Sequence, residues 1–321
     1  MSEDTRPVLL LTGMIMDHVV ERQLKERFHL VGAEDFEGAL AAHGDEVRGV
    51  VTRGSRGVTA AVIERLPKLE IISNFGVGYD SVDAATAAKH GVMVTNTPDV
   101  LNEEVADLAL GLLLATIREI PQADRYVRDG KWKAAAFPLG ATLRGRSIGI
   151  VGMGRIGRAI AKRIEAFGLP IAYHTRGPVP DLPYPHYLDL VAMARDVDTL
   201  ILILPGGPST RGIVNAEVLA ALGPNGVLIN VARGSVVDEP ALIEALKART
   251  ILAAGLDVFA DEPNVPEALR ALDNVVLLPH VGSATHFTRT AMGQLVVDNV
   301  ISWFDGKGPV TPVAETPWPK G

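Results

Sequence analysis

Ser147-Ile-Gly-Ile-Val151 runs directly into Gly152-Met-Gly154-Arg-Ile-Gly157, followed by a segment with apolar residues at Ile156, Ile160, Ile164 and Phe167. A short apolar run, a glycine-rich turn and a helix-period pattern in succession make a strand–turn–helix unit. In that setting the glycines have separate uses. Gly152 permits the tight turn, Gly154 lets the backbone approach a pyrophosphate, and Gly157 lets helix and strand pack closely. The helix N-terminus then holds the anion, Arg155 adds a charge, and Ile156, the first apolar residue of the helix, belongs with the cofactor-contacting positions. The spacing alone is weak evidence, and an ordinary glycine-rich turn would share it. The strand before and the amphipathic helix after are what point to a dinucleotide.

Outward from this unit the same alternation continues. Strand candidates stand at Ile148 to Val151, Ile171 to Tyr173, Thr199 to Leu204, Val227 to Val231, Leu252 to Leu256 and Val275 to Leu278. Six parallel strands complete a dinucleotide-binding sheet. Upstream, Val8 to Leu11, Gly49 to Thr52, Ile71 to Ser73 and Val92 to Asn96 suggest a smaller α/β domain. Leu101 to Ile120 reads as one long connecting helix, with Glu103 and Glu104 at the positive end of its dipole. A last helix, carrying Met292, Leu295, Val296, Val300 and Trp303, ends at Gly306, and the Pro-rich segment Pro309 to Pro319 is expected to pack back on something. The expected architecture is α/β with two doubly wound parallel-sheet domains. Residues 1–100 plus 286–321 would form a smaller, flavodoxin-like substrate-binding domain, and 101–285 a Rossmann dinucleotide-binding domain.

Length and composition agree with this. The chain has 321 residues, enough for about two domains, and its 47% hydrophobic and 21% charged residues are those of a folded globular protein. A net charge of −7 repels phosphate backbones and anionic lipid, so neither nucleic acid nor a membrane is an expected partner. The absence of cysteine excludes a disulfide framework, a thiolate nucleophile, an iron–sulfur cluster and a Cys-ligated zinc. No metal is expected either: His286, six residues after His280, has no acidic companions. His18, His29, His43, His90 and His186 stand in surface-like contexts. The longest apolar stretch, Leu108 to Ile117, falls well short of the roughly twenty residues that span a bilayer. Met1 to Pro7 is acidic and has no apolar core of a secretory signal, so a cytoplasmic location is expected.

Which dinucleotide binds should be decided about twenty residues after the glycines, at the end of the second strand. There the sequence reads His174-Thr175-Arg176, with no acid from Ala166 to Pro180. NAD would want a carboxylate for its ribose 2′-hydroxyl, whereas a 2′-phosphate is attracted by Arg176 with Thr175 and His174 as hydrogen-bond partners. NADP(H) is therefore the expected cofactor, with NAD(H) possible.

Ligands of doubly wound sheets bind at the carboxyl ends of the strands. Arg233, Asp257, Glu262 and His280 each follow such a strand. Taken singly, each has a structural explanation, as a salt-bridge partner, a helix-start residue or a satisfied histidine. Together they suit carbonyl reduction. Hydride arriving at a 2-keto carbon leaves charge on oxygen, and His280 is the side chain suited to donate the proton near neutrality. Glu262 would orient the imidazole and favour its charged form, Arg233 would grip the carboxylate and polarise the carbonyl, and Asp257 could hold a nicotinamide carboxamide.

Asn74-Phe-Gly-Val-Gly-Tyr-Asp80, Val105-Ala-Asp107, Gly152 to Gly157, Asn230-Val-Ala-Arg-Gly234, Asp257-Val-Phe with Glu262-Pro263, and Pro279-His280 resemble the D-2-hydroxyacid dehydrogenase family over nearly the whole chain, most closely its glyoxylate/hydroxypyruvate reductase branch. The resemblance implies catalysis by Arg233, Glu262 and His280. It implies that the amides of Val77 and Gly78 hold the substrate carboxylate, with Arg53 and Gly54 in a facing loop. It also places Val231 and Asp257 near the nicotinamide and Leu204, Pro205 and Gly206 near the adenosine, with Ala232 and Gly282 among the cofactor contacts. A homodimer is implied, with residues 101–120 and the segment around Trp132 in the interface. Asn102 stands where many members carry Thr, and Glu262, where formate dehydrogenases carry Gln, speaks against that activity. The expected function is NAD(P)H-dependent reduction of glyoxylate and hydroxypyruvate to D-2-hydroxy acids. The alternatives are a reductase for a bulkier 2-keto acid and a dinucleotide-sensing regulator on the same fold.

Overall fold

A computed structural model describes residues 5–54 and 57–318. The chain divides into two compact units, Met1–Leu101 with Thr285–Gly321, and Asn102–Ala284. Each is a parallel sheet covered by helices, the arrangement that lets an almost wholly apolar strand bury both faces.

The first unit contains β1 (Val8–Leu11), β2 (His29–Val31), β3 (Val47–Arg53), β4 (Ile71–Phe75) and β5 (Met93–Thr95) in the order β2-β1-β3-β4-β5. That order is the flavodoxin-like one. β1 and β4 are buried throughout, whereas β2 is only half-buried and three residues long. Its shortness explains why no apolar run marks it in the sequence. The helix His286–Phe304, capped by the Thr285 hydroxyl accepting from Thr288 N, packs on β4. The tail beyond it is pinned by buried Asn299, whose Oδ1 accepts from the amides of Val310 and Thr311 at 3.0 and 2.9 Å. Thr311 Oγ1 in turn donates to Asn96 O at 2.6 Å.

The second unit contains β6 (Ile148–Val151), β7 (Ile171–His174), β8 (His186–Tyr187), β9 (Thr199–Leu202), β10 (Val227–Asn230), β11 (Ala253–Leu256) and β12 (Val275–Leu277). Their order is β12-β11-β10-β9-β6-β7-β8. The sheet has seven strands rather than the six the sequence suggests. The additional one, β8, is two residues long and carries a histidine, so it has no periodicity to read. The long helix is also corrected. It spans Asn102–Ile117, and a second helix, Ile120–Arg128, follows after Glu119 in a left-handed conformation. Pro121 enforces the break, since it has no N–H to donate and its ring clashes with the preceding turn.

At the switch point between β6 and β9 the turn after β6 leaves no room for side chains. Gly152 has φ +101°, and a Cβ there would stand 2.4 Å from Ile203 O. A Cβ at Gly157 would stand 2.2 Å from Gly152 O, so the helix Arg155–Glu165 can approach its strand only because residue 157 has none. Gly157→Ala should therefore cost about 1–3 kcal/mol of stability by overpacking. Denaturant unfolding would show a lower midpoint, and an unchanged midpoint would contradict this account of the turn.

Candidate active site

The glycine turn presents an anion site. The helix Arg155–Glu165 begins at Gly154 with no side-chain cap, and the positive end of its dipole favours an anion. A Cβ at Gly154 would meet nothing within 4 Å, which leaves open the space a pyrophosphate needs. Arg155 is exposed at the first helical position, Ile156 is half-buried, and Gly152 N donates to His174 O at 3.0 Å, tying the turn to the end of β7. His174, Thr175 and Arg176 follow there, with the Arg176 side chain exposed. Burial pushes His174 below its ordinary pKa, with the charge of His186 adding to the effect and the carbonyl of Tyr187 opposing it. Leu204 and Pro205 follow β9, and Thr210 Oγ1 donates to Pro205 O at 2.8 Å. These features fit a phosphate-bearing dinucleotide.

Three neighbouring strands, β10, β11 and β12, deliver the polar cluster at their carboxyl ends. After β10, buried Asn230 closes the turn: its Oδ1 accepts from Ala232 N and its Nδ2 donates to Arg233 O, both at 3.0 Å. Val231 and Ala232 are buried in that turn, and Arg233 emerges half-buried, with Nη1 donating to Ala232 O at 2.8 Å. Gly234 is required behind it, because a Cβ would stand 1.9 Å from the carbonyl of Phe259. The loop after β11 thus packs on the loop after β10.

That second loop carries Asp257 and Glu262. Glu262 Oε1 accepts from Phe259 N at 3.0 Å, and Oε2 lies 2.7 Å from His280 Nδ1. Burial alone would raise the Glu262 pKa. The hydrogen bonds from His280 and Phe259 and the positive charges of His280 and Arg233 outweigh it and hold the carboxyl below its ordinary value. His280 has φ +53°, a left-handed conformation uncommon for a residue with a Cβ. The neighbouring backbone is fixed by Asp257, only 2% exposed, whose oxygens accept from Val281 N at 2.7 Å and Gly282 N at 2.8 Å. Burial raises the Asp257 pKa, against the two amides that lower it. The structure therefore shows Asp257 anchoring the turn that carries His280.

The remaining sequence candidates lie in the first unit. Arg53 ends β3 opposite Phe75 on β4, and Gly54 follows it; both are exposed. Val77 and Gly78 form the loop after β4. Asn74 Nδ2 donates to the carbonyls of Gly76 and Gly78 at 3.1 Å, and Asn96 Nδ2 donates to Val77 O at 2.8 Å. Asn74, Asn96 and Asn230 are positioning residues that the sequence reading left without a role. A polar residue closing an otherwise apolar strand was the available signal, because it must find a hydrogen bond once buried.

Residues 110–282 match the NAD-binding domain of the D-isomer-specific 2-hydroxyacid dehydrogenases. Among curated proteins, the chain is 48% identical to a glyoxylate/hydroxypyruvate reductase A of Arabidopsis thaliana over 93% of this chain and 96% of that one. It is also 48% identical to a hydroxyphenylpyruvate reductase of Plectranthus scutellarioides, with the same coverage. Among solved structures, it superposes with TM-score 0.93 and 53% identity, covering 99% of both chains, on an NADPH-dependent glyoxylate/hydroxypyruvate reductase of Sinorhizobium meliloti in complex with NADP and malonate.

A carboxyl held below its ordinary pKa stabilises the fold above that ordinary value, and the contribution is lost as pH falls through the depressed one. For Glu262 the ordinary value is 4.5. The gap in thermal midpoint between wild type and Glu262→Gln should therefore be widest near neutrality and narrow as the pH falls below 4.5. Parallel curves across that range would show that the carboxylate is not held as described.

Proposed function

Because this chain belongs to the D-2-hydroxyacid dehydrogenase family, in its glyoxylate reductase branch, we propose that Arg233, Glu262 and His280 carry out its reduction of glyoxylate and hydroxypyruvate to D-2-hydroxy acids. It is an NADP-dependent oxidoreductase of small 2-keto acids. The observation that carries the assignment of roles is the 2.7 Å pairing of His280 Nδ1 with Glu262 Oε2, with the charge of Arg233 acting on that same carboxylate.

Bound at the glycine turn, NADPH supplies the hydride. Gly152, Gly154, Arg155, Ile156 and Gly157 hold its pyrophosphate, Leu204 and Pro205 border the adenosine, and His174, Thr175 and Arg176 read the 2′-phosphate. Val231, Ala232, Asp257 and Gly282 border the nicotinamide. In this reading the second unit is the dinucleotide-binding domain and the first is the substrate-binding domain. Arg233 pairs with the carboxylate of the 2-keto acid and polarises its carbonyl. In the first unit, the amides of Val77 and Gly78, with Arg53 and Gly54, are the substrate-binding groups of this reading. Since the Glu262 carboxylate accepts from Nδ1–H, the proton that reaches the new alkoxide leaves from Nε2 of His280.

The reading includes a cytoplasmic homodimer. Ile120, Val127, Trp132 and Leu139 are exposed by 52, 56, 68 and 102%, a density of uncovered apolar side chains that a second copy would bury. Sedimentation should give twice the 34.1 kDa chain mass, and Trp132→Ser with Leu139→Ser should shift it towards the monomer. An unchanged dimer would move the interface elsewhere.

Oxidation of NADPH and of NADH should be followed in parallel against glyoxylate, hydroxypyruvate, pyruvate and phenylpyruvate. The expected result is fast turnover of NADPH with the first two. Fast turnover with phenylpyruvate alone would instead select the bulkier-substrate reading that one relative's name suggests. His280→Ala should lower kcat by about 100-fold or more with little change in cofactor affinity. Arg176→Ala should weaken NADPH on the order of tenfold more than NADH. Equal loss of turnover and binding in the first variant, or an unchanged cofactor ratio in the second, would overturn that residue's role.

A further inference from the structure

His186 is placed by the sequence among surface-like histidines, yet it lies in β8, beside the segment that follows β7. Its Nε2 stands 3.0 Å from Thr175 O, and on the reciprocal side His174 Nδ1 stands 3.0 Å from Tyr187 O. A carbonyl oxygen only accepts, so each of these ring nitrogens carries a proton and donates. Two reciprocal staples therefore join the end of β7 to β8, in a region where the parallel strand ladder itself is only two residues long. Other bonds close the same segment. Thr175 Oγ1 donates to Gly177 O at 2.6 Å, and Tyr173 Oη accepts from Val179 N at 2.9 Å. The Tyr173 ring packs on the His186 imidazole with centroids 5.0 Å apart. Arg176 lies in the middle of this segment, so its backbone direction is set before any ligand arrives.

We propose that His186 is a positioning residue for cofactor selection: its bond to Thr175 O holds the Thr175-Arg176 backbone in the orientation that receives the ribose 2′-phosphate. The inference rests on the reading of Arg176 as the 2′-phosphate contact. A preset loop spends less binding energy on ordering itself, and that gain applies only to the ligand whose phosphate the loop touches. Loss of the staple should consequently weaken NADPH and leave NADH nearly unchanged. Both staples survive protonation of either imidazole, because the donating nitrogens carry a proton in the neutral and the charged ring alike.

The test compares wild type, His186→Ala and His186→Gln in binding 2′,5′-ADP and 5′-ADP by calorimetry, together with kcat/KM for NADPH and NADH at saturating glyoxylate. Tyr187, which follows the substitution, also donates to Asp196 Oδ2 at 2.8 Å, so the thermal midpoint is recorded for each variant to confirm folding. The expected result is that His186→Ala loosens 2′,5′-ADP by about tenfold and 5′-ADP by less than about twofold. The NADPH-to-NADH ratio should fall in step, and the amide donor of His186→Gln should restore part of it. A wild type with no preference for 2′,5′-ADP would overturn the 2′-phosphate reading and the inference with it. A wild-type preference that His186→Ala leaves intact, or a loss equal for both nucleotides, overturns the role of His186 alone.

Discussion

The packing of Gly157 against the backbone of Gly152 is the constraint from which the second unit is built. It brings the N-terminus of the helix Arg155–Glu165 to the carboxyl end of β6, at the point where the strand order reverses. Helix amides, the end of β7 and the loop after β9 then face the same crevice, as the topology of a doubly wound sheet requires. The strands on the other side, β10 to β12, bring their polar loops to the same edge because every strand runs in the same direction. A Cβ at one position would push this arrangement apart.

In each unit, buried and half-buried polar side chains bond mainly to backbone. Asn230 shapes the turn before Arg233, Asp257 anchors the residues after His280, Asn74 and Asn96 hold the Gly76–Gly78 loop, and Asn299 fixes the C-terminal tail. Each occupies a place where a strand or helix gives way to irregular chain, and each satisfies groups that would otherwise be buried without a partner. The reacting side chains can then be partly exposed without being loose. Glu262 spends one oxygen on the backbone of its own loop and the other on His280, so the imidazole is held from a fixed point.

How much of this the sequence reveals follows from how many residues each feature uses. β6 and β10 are buried at every position, and such apolar runs show in the sequence as strands even without alternation. The glycine turn is legible because three positions at fixed spacing each have a distinct steric reason. β2 and β8 are invisible for the opposite cause: three and two residues, half-buried, carry no period. The break at Pro121 was available in the sequence and was outweighed by the apolar residues before it. Arg233, Glu262 and His280 could be picked out because they follow strands in a sheet whose direction was already inferred. Their pairing, and the staples of His174 and His186, depend on chain segments brought together only by folding, which no spacing encodes.

The tail that Asn299 pins also lies along the outer strand of the first sheet. Thr95 bridges Pro312 in antiparallel fashion, and Val94 receives Val313 N on its carbonyl while its amide donates to Thr316 Oγ1. A bare edge strand offers unpaired amides and carbonyls to any passing chain and so seeds aggregation. Here that edge is occupied by a segment whose prolines, at 309, 312 and 317, have no N–H to offer a further strand. The same residues that complete the sheet thus end it, and β5 presents no open template for intermolecular pairing.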